Sequence, residues 1–300
     1  MAKKQKHFAH GRRSDDVDIA VVNPVPLEDE LGDVLEKAMR RAGLTEEELG
    51  RRAGVLPGRI RDAVNYRPEL SCHELRRLAA VLALNEVGLC ALGCGRYPLP
   101  ELSPLPFRVF PLRMSHGIGV TNAYLVAERE GAIGVLFDSG PGVTALEAVW
   151  PQEIREVAAV FLTHVEGEHA GGLCGVVARF GVQAAYCPAA GNVPCGRPIG
   201  EGERVEFAGF TVTAFSTPGH ALAHNCYVVK ARGKGSGPAL MISGDLFFAG
   251  SVGGARHCQR QLALNLGRML RAVPPETVVA PGHGPMTTAE NELRYNPFVV

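Results

Sequence analysis

Thr163-His164-Val165-Glu166-Gly167-Glu168-His169 sets four side chains of metal-binding type within six residues. It directly follows Val157-Ala158-Ala159-Val160-Phe161-Leu162, an apolar run too short for a core helix, which predicts a buried parallel strand. Such a strand delivers its C-terminal end to one edge of a sheet, where open α/β folds build their sites. In extended chain His164, Glu166 and Glu168 fall on one side because side chains alternate. His169 then follows as the chain turns through Gly171 and Gly172. Imidazole and carboxylate suit zinc, iron or manganese. The competing reading of the stretch alone is a polar strand-end loop with two unrelated histidines.

Three more strand-like runs end in the same way. Phe210-Thr211-Val212-Thr213-Ala214-Phe215 leads into Ser216-Thr217-Pro218-Gly219-His220. Ala239-Leu240-Met241-Ile242 leads into Ser243-Gly244-Asp245, and Thr277-Val278-Val279-Ala280 into Pro281-Gly282-His283-Gly284-Pro285. Each run passes through small, turn-forming residues and then presents one His or Asp.

With these motifs in order, the chain from about Phe107 onward resembles the metallo-β-lactamase superfamily, nearest its glyoxalase II-like hydrolase branch. Asn122-Ala123-Tyr124-Leu125-Val126, the Phe137-Asp138-Ser139-Gly140-Pro141-Gly142 turn and the tail from Glu290 to Phe298 carry the same resemblance. The fold it implies is α/β, an αββα sandwich, here preceded by a small all-α domain. The resemblance also implies two divalent metal ions. One would be held by His164, Glu166 and His220, the other by Glu168, His169 and His283, with Asp245 between them. Glu168 and Asp245 are the candidate catalytic carboxylates. A pair of metals polarises a carbonyl or phosphoryl oxygen and acidifies a bound water, so no protein nucleophile is needed.

Two positions depart from the superfamily's pattern. Glu166 stands where a second His is expected, and Glu168 where an Asp is expected. The added negative charge favours iron or manganese over zinc, and the Glu168 side chain is one methylene longer than the expected Asp, so its carboxylate sits farther out or bends back. The arrangement also resembles the di-iron flavodiiron branch, but only 17 residues follow His283, so no flavin domain is expected. On the same ground the C-terminal helical region of true glyoxalase II is not expected. The 24 residues 221–244 leave no room for the insert of the nuclease members.

The first hundred residues read differently. Residues 1–26 form a basic arm without an apolar core, expected to be disordered rather than a secretory signal. Residues 27–95 are helical in pattern. Helices are expected over Glu28–Ala42, after a Thr45 cap boxed by Glu48, over Gly58–Asn65, and from a Ser71 cap boxed by Glu74 through Leu84. This region resembles the Cro/C1-type helix-turn-helix domain, and the resemblance implies a third helix entering the major groove. Arg59, Arg61 and Arg67 are the candidate DNA contacts. Leu56, Pro57 and Gly58 offer no base-reading hydrogen bonds, and residues 1–97 are nearly neutral, with 16 Lys+Arg against 15 Asp+Glu. DNA binding and a role as a dimerising or docking module both remain open.

Four prolines between Arg96 and Pro106 predict a stiff linker over 96–106, ahead of a domain spanning 107–300. Equal acid and base, 46% hydrophobic residues and no span of membrane length suit a cytoplasmic two-domain protein. The eight cysteines, without a Cys-x-x-Cys pair, read as free thiols. Cys90 and Cys94 are expected to pack in apolar surroundings, and Cys174 beneath the site. His116 is a candidate pocket residue, His224 a spare ligand, and His257 lies too far from Asp245 to match a ligand. The expected function is metal-dependent hydrolysis of a small ester, thioester or lactone. The alternative is a transcriptional regulator whose di-iron or metal-bound domain senses oxygen, redox state or a small ligand; on either reading a homodimer is one expected assembly.

Overall fold

A computed structural model describes residues 25–67, 70–233 and 237–300. The basic arm expected over 1–26 therefore lies, as far as residue 24, outside the described residues. Five helices open the described chain: α1 (Leu31–Ala42), α2 (Glu46–Ala53), α3 (Pro57–Val64), α4 (Cys72–Leu82) and α5 (Glu86–Gly93). Gly43 and Gly54 end α1 and α2 in the left-handed conformation, which glycine adopts without a Cβ penalty.

Two local expectations are corrected here. The first helix begins at Leu31 rather than Glu28, because Asp29 turns away to accept hydrogen bonds from Lys37 and from Ser251 of the C-terminal region. At α2, Thr45 Oγ1 accepts from Glu48 N at 3.2 Å, but the Glu48 carboxylate is taken by Arg51 and Arg52, so only half a capping box forms. The box at Ser71 and Glu74 is complete.

The remainder builds two six-stranded sheets. The first comprises β1 (Arg108–His116), β2 (Gly119–Ala127), β3 (Ile133–Phe137), β4 (Glu156–Phe161), β5 (Ala185–Pro188) and β6 (Arg197–Ile199), in that order. Its first three strands pair antiparallel and β3 to β6 pair parallel. The second holds β7 (Arg204–Glu206), β8 (Phe210–Ser216), β9 (Asn225–Ala231), β10 (Leu240–Gly244), β13 (Val278–Pro281) and β14 (Thr287–Thr288), ordered β14-β13-β10-β9-β8-β7. A hairpin of β11 (Phe247–Phe248) and β12 (Ser251–Val252) follows β10.

Alternation assigns each strand two faces. Tyr227, Val229, Leu240, Ile242, Val278 and Ala280 point between the sheets, where they meet Phe137 and Phe161 of the first sheet. Phe161 stacks on Phe137 at 5.4 Å and on Tyr186 at 4.7 Å. The opposite face of the second sheet, with Cys226, Val228, Met241 and Val279, packs on α9 (Gln259–Ala272) and α10 (Ala289–Tyr295). The outer face of the first sheet is covered by α6 (Val143–Glu147) and α8 (Leu173–Phe180). Helix, sheet, sheet, helix is the resulting layer order, an αββα sandwich.

The helical unit is welded to this sandwich. Its core residues Leu35, Leu49, Ile60 and Leu78 run without a break into Leu262, Leu266, Met269 and Phe298. Asn85 N donates to Pro297 O at 2.8 Å, and Asn85 Nδ2 to Arg294 O at 3.0 Å. The proline-rich connection is pinned as well. Tyr97 Oη donates to the buried Glu292 carboxylate at 2.9 Å, and Pro98 O accepts from Asn291 Nδ2. No helix among the described residues is long and apolar enough to cross a membrane.

Candidate metal centre

Four strand-end segments converge at one edge of the sandwich. His164 to His169 follow β4, His220 lies between β8 and β9, Asp245 follows β10, and His283 follows β13. Extended-chain alternation does not survive past Glu166. The short helix α7 (Gly167–Ala170) begins there, with Glu166 as its N-cap, so Glu168 and His169 reach the centre from a helical turn. Gly167 starts that turn, which the strand-period reading of the motif overlooked.

The candidate ligands fall into overlapping triads. His164, Glu166 and His220 offer ligand atoms within 4.8 Å of one another; so do Glu168, His169 and His283, and so do His164, His169 and Asp245. Asp245 bridges them: Oδ1 is 3.6 Å from His169 Nε2, and Oδ2 is 3.7 Å from His220 Nε2 and 3.5 Å from His283 Nε2.

Each of the four imidazoles has one nitrogen tied back into the protein. His164 Nδ1 lies 2.9 Å from Thr163 Oγ1, His169 Nδ1 3.0 Å from Asp138 Oδ2, His220 Nδ1 2.7 Å from Gly254 O, and His283 Nδ1 2.8 Å from Val120 O. A carbonyl can only accept, so Nδ1 of His220 and of His283 carries a proton, and Nε2 is the nitrogen that faces the centre. Metal-ligating histidines are oriented in this way by a second hydrogen bond. Buried His164 Nε2 and Asp245 Oδ1 have no hydrogen-bond partner among the described residues. Unpaired polar atoms of that kind are costly unless something binds them.

Asp138 holds the arrangement from behind. It is 2% exposed, accepts from Thr163 N at 2.7 Å and from Thr163 Oγ1, and fixes the His169 ring. Its φ of 61° is in the left-handed region, an unusual conformation for a non-glycine residue. Sequence reading recognised the turn but gave Asp138 no role. The signal available was a lone acid ending an apolar strand. Asn122 similarly steadies the His283 loop, donating to Pro281 O and Gly284 O.

Charge is unevenly held. Burial opposes ionisation of Asp245, but His169 and His283 outweigh it and keep the carboxyl well below its ordinary range. Burial likewise opposes protonation of His283, yet the hydrogen bond and charge of Asp245 raise it to about 10. His169 is raised in the same way by Asp245 and Asp138. His164, by contrast, is pushed well down by burial and by His169. Glu166 is lowered by its contact with His220, against some burial and with help from Arg256, to which it is ion-paired.

His224 sits beneath the centre rather than in it. Its Nδ1 is 2.7 Å from Thr217 Oγ1, its ring stacks at 5.4 Å from that of His164, and burial lowers it to about 3. His116 lines the pocket, whereas His257 lies in a separate surface depression. Two cysteine expectations are corrected, while Cys90 packs against the apolar core and the cysteines are free thiols as expected. Cys174 is exposed, its Sγ 3.0 Å from Cys195 Sγ, rather than packed beneath the site. Cys94 is half-buried, 3.1 Å from the exposed Cys72 Sγ, rather than in apolar packing.

Residues 116–283, which include every candidate ligand, match the family model described as the metallo-beta-lactamase superfamily. The chain belongs to that superfamily. Among its relatives, a hydroxyacylglutathione hydrolase of Klebsiella pneumoniae is 28% identical over 165 residues, 53% of this chain and 60% of the relative. The chain thus spans less than two-thirds of that enzyme's length. An uncharacterized protein of Mycobacterium tuberculosis is 26% identical over 212 residues, 61% of this chain and 94% of its own. Among solved structures, the BLEG-1 B3 metallo-beta-lactamase superposes with a TM-score of 0.51 at 25% identity, covering 65% of this chain and 99% of that one. The superfamily match begins after the five-helix unit, which it leaves outside.

Proposed function

We propose that the protein is a metal-dependent hydrolase of a small ester, thioester or lactone. The observation that carries this reading is the set of four imidazoles, each tied back through one nitrogen, that converge with Asp245 on one centre. The donor set fits metal ions: His164, Glu166 and His220 would hold one, Glu168, His169 and His283 a second, with Asp245 shared. When bound, such ions supply Lewis acidity toward a scissile carbonyl and acidify water.

The chain's own residues supply the rest. Asp138 and Thr163 fix the rings of His169 and His164, and the Gly254 and Val120 carbonyls fix His220 and His283. Asp245, held ionised, presents acceptor oxygens toward three of those rings. Arg256 steers the Glu166 carboxylate from outside. A cavity of about 510 Å³ opens onto Glu168, His220, Asp245 and His283, a size suited to a small-molecule ligand. The hydrolase relatives support the same class of reaction.

The test is turnover of a panel of simple thioesters and lactones by metal-loaded protein. Hydrolysis that stops with chelator and returns with metal is the expected result. No hydrolysis across the panel by protein carrying two metals per chain would refute it.

A second reading is a di-iron redox or oxygen sensor acting through DNA. What favours it is the pair of glutamates, since carboxylates suit iron or manganese better than zinc, together with the exposed start of α3 at Leu56. Against DNA contact, two of the three candidate arginines are held within the helical unit. Arg59 binds Glu74, drawing that carboxyl down to about 2, and Arg61 binds Glu46 and Glu47. Arg67 lies 3.9 Å from Asp62. Two irons in the purified protein and a metal-dependent shift of promoter DNA are what this reading requires.

A further inference from the structure

One wall of the metal pocket is made by the helical unit. The cavity is bounded at its deep side by Glu168, His220, Asp245 and His283. Facing them are Glu28, Asp29, Lys37 and Arg40, from α1 and the turn before it. That wall is fixed in place. A Cβ on Gly284, beside the candidate ligand His283, would come within 3.0 Å of Glu28 N, so the two backbones touch. Buried Asp29 holds Ser251 Oγ, and Lys37 Nζ reaches Val252 O at 2.7 Å while lying 5.5 Å over the Phe248 ring.

The charges along this wall are not equally committed. Lys37 is neutralised by Asp29 inside the seam, with side-chain exposures of 21% and 9%. Arg256, across the pocket mouth, is taken by Glu166. Arg40 is different. Its side chain is 68% exposed, and its ion pair with Glu36 is an exposed i,i+4 contact, of a kind worth only about 0.2–0.5 kcal/mol. A ligand carboxylate can replace such a partner with little loss, and guanidinium binds carboxylate in a bidentate fork. Glu28 and Glu168 make the deeper lining acidic, so an anionic ligand is oriented with its charge toward the rim and its uncharged part inward.

We propose that the helical unit is the ligand-recognising wall of this site, with Arg40 binding the carboxylate of an anionic substrate whose scissile group lies beside Asp245. The word substrate rests on the hydrolase reading; the recognition itself does not. The five-helix unit is then part of the active site, in addition to any contact it makes elsewhere.

The test uses full-length metal-loaded protein and calorimetric titration with 3-mercaptopropionate and 6-mercaptohexanoate, each against its neutral amide. The wild type is expected to bind at least one acid roughly tenfold more tightly than its amide, the difference that one charge-assisted hydrogen bond supplies. Arg40→Glu is expected to abolish or reverse that ratio. Should that variant fold poorly, Arg40→Gln carries the same test, with a smaller loss of ratio. Equal binding of acid and amide by the wild type overturns the proposal, and so does a ratio that Arg40 variants leave unchanged. Acetyl thioesters of the same thiols separate the two readings. Absence of turnover of these and of the whole thioester and lactone panel, alongside an Arg40-dependent acid preference, sinks the hydrolase reading and upholds the recognition wall.

Discussion

Gly282 has no side chain because Asp245 occupies the space one would fill. A Cβ there would lie 2.2 Å from Asp245 Oδ1 and 3.0 Å from His169 Cε1. Gly282→Ala should therefore displace the bridging carboxylate and weaken metal binding by roughly 10- to 100-fold, the range for mutations around a metal site; competition with a chromophoric chelator measures it. Glu166→His should raise zinc affinity by supplying a neutral imidazole, while freeing Arg256; an unchanged affinity would show that Glu166 does not ligate. The seven candidate ligands were legible as residue types because they follow the ends of four apolar runs. The role of Asp138 was not, since it arises from contacts across 25 to 31 residues of chain. Nor was the helical turn at Gly167, because a short motif rich in ligands satisfies either period.

At the scale of elements, Gly88 in α5 sets two effects against each other. Alanine is preferred to glycine within a helix by about 1 kcal/mol. A Cβ at Gly88, however, would come 1.8 Å from Tyr295 O, at the contact between α5 and α10. Overpacking costs about 1–3 kcal/mol, and the obstruction here is backbone. Gly88→Ala is expected to lower the melting temperature; a rise would mean that α5 does not dock on α10 in solution. Helix ends and strand runs followed from caps, glycines and period. Strand order did not, since β10 pairs with β13 across the intervening α9 and nothing local to either strand encodes that partnership. The start of α1 was misjudged for a similar reason: Asp29 answers to Ser251, 222 residues away.

At the scale of the molecule, the proton balance of the metal-free centre ties pH to stability. His283 is raised from an ordinary 6.5 to about 10 in the fold, so the folded chain holds that proton more tightly than the unfolded one. Its contribution is complete below pH 6.5 and is lost as pH climbs toward 10. Asp245, lowered by the same partners, contributes above its ordinary 3.8 and loses that contribution in acid. Chelated protein should accordingly lose stability between pH 6.5 and 10, read as a falling denaturant midpoint; a flat profile would contradict the Asp245–His283 pairing. Metal loading must expel the same proton, so affinity should climb with pH over this window. The change from helices to strands could be read in the sequence from the change of period, and the extended connection between them from its prolines. That the helical unit closes one side of the metal pocket could not, because Glu28, Lys37 and Arg40 look like any charged helix surface until the seam with β12 and Gly284 is seen.

The proposed function requires His164, Glu166, Glu168, His169, His220, Asp245 and His283 to act as one metal centre. Elemental analysis of full-length protein, alongside a His164→Ala, His169→Ala double variant, tests it most directly. Two metal ions per folded wild-type chain, reduced to one or none in a variant that keeps its circular dichroism, is the predicted result. A folded wild type that takes up no metal from an equimolar mixture of zinc, iron and manganese would contradict it.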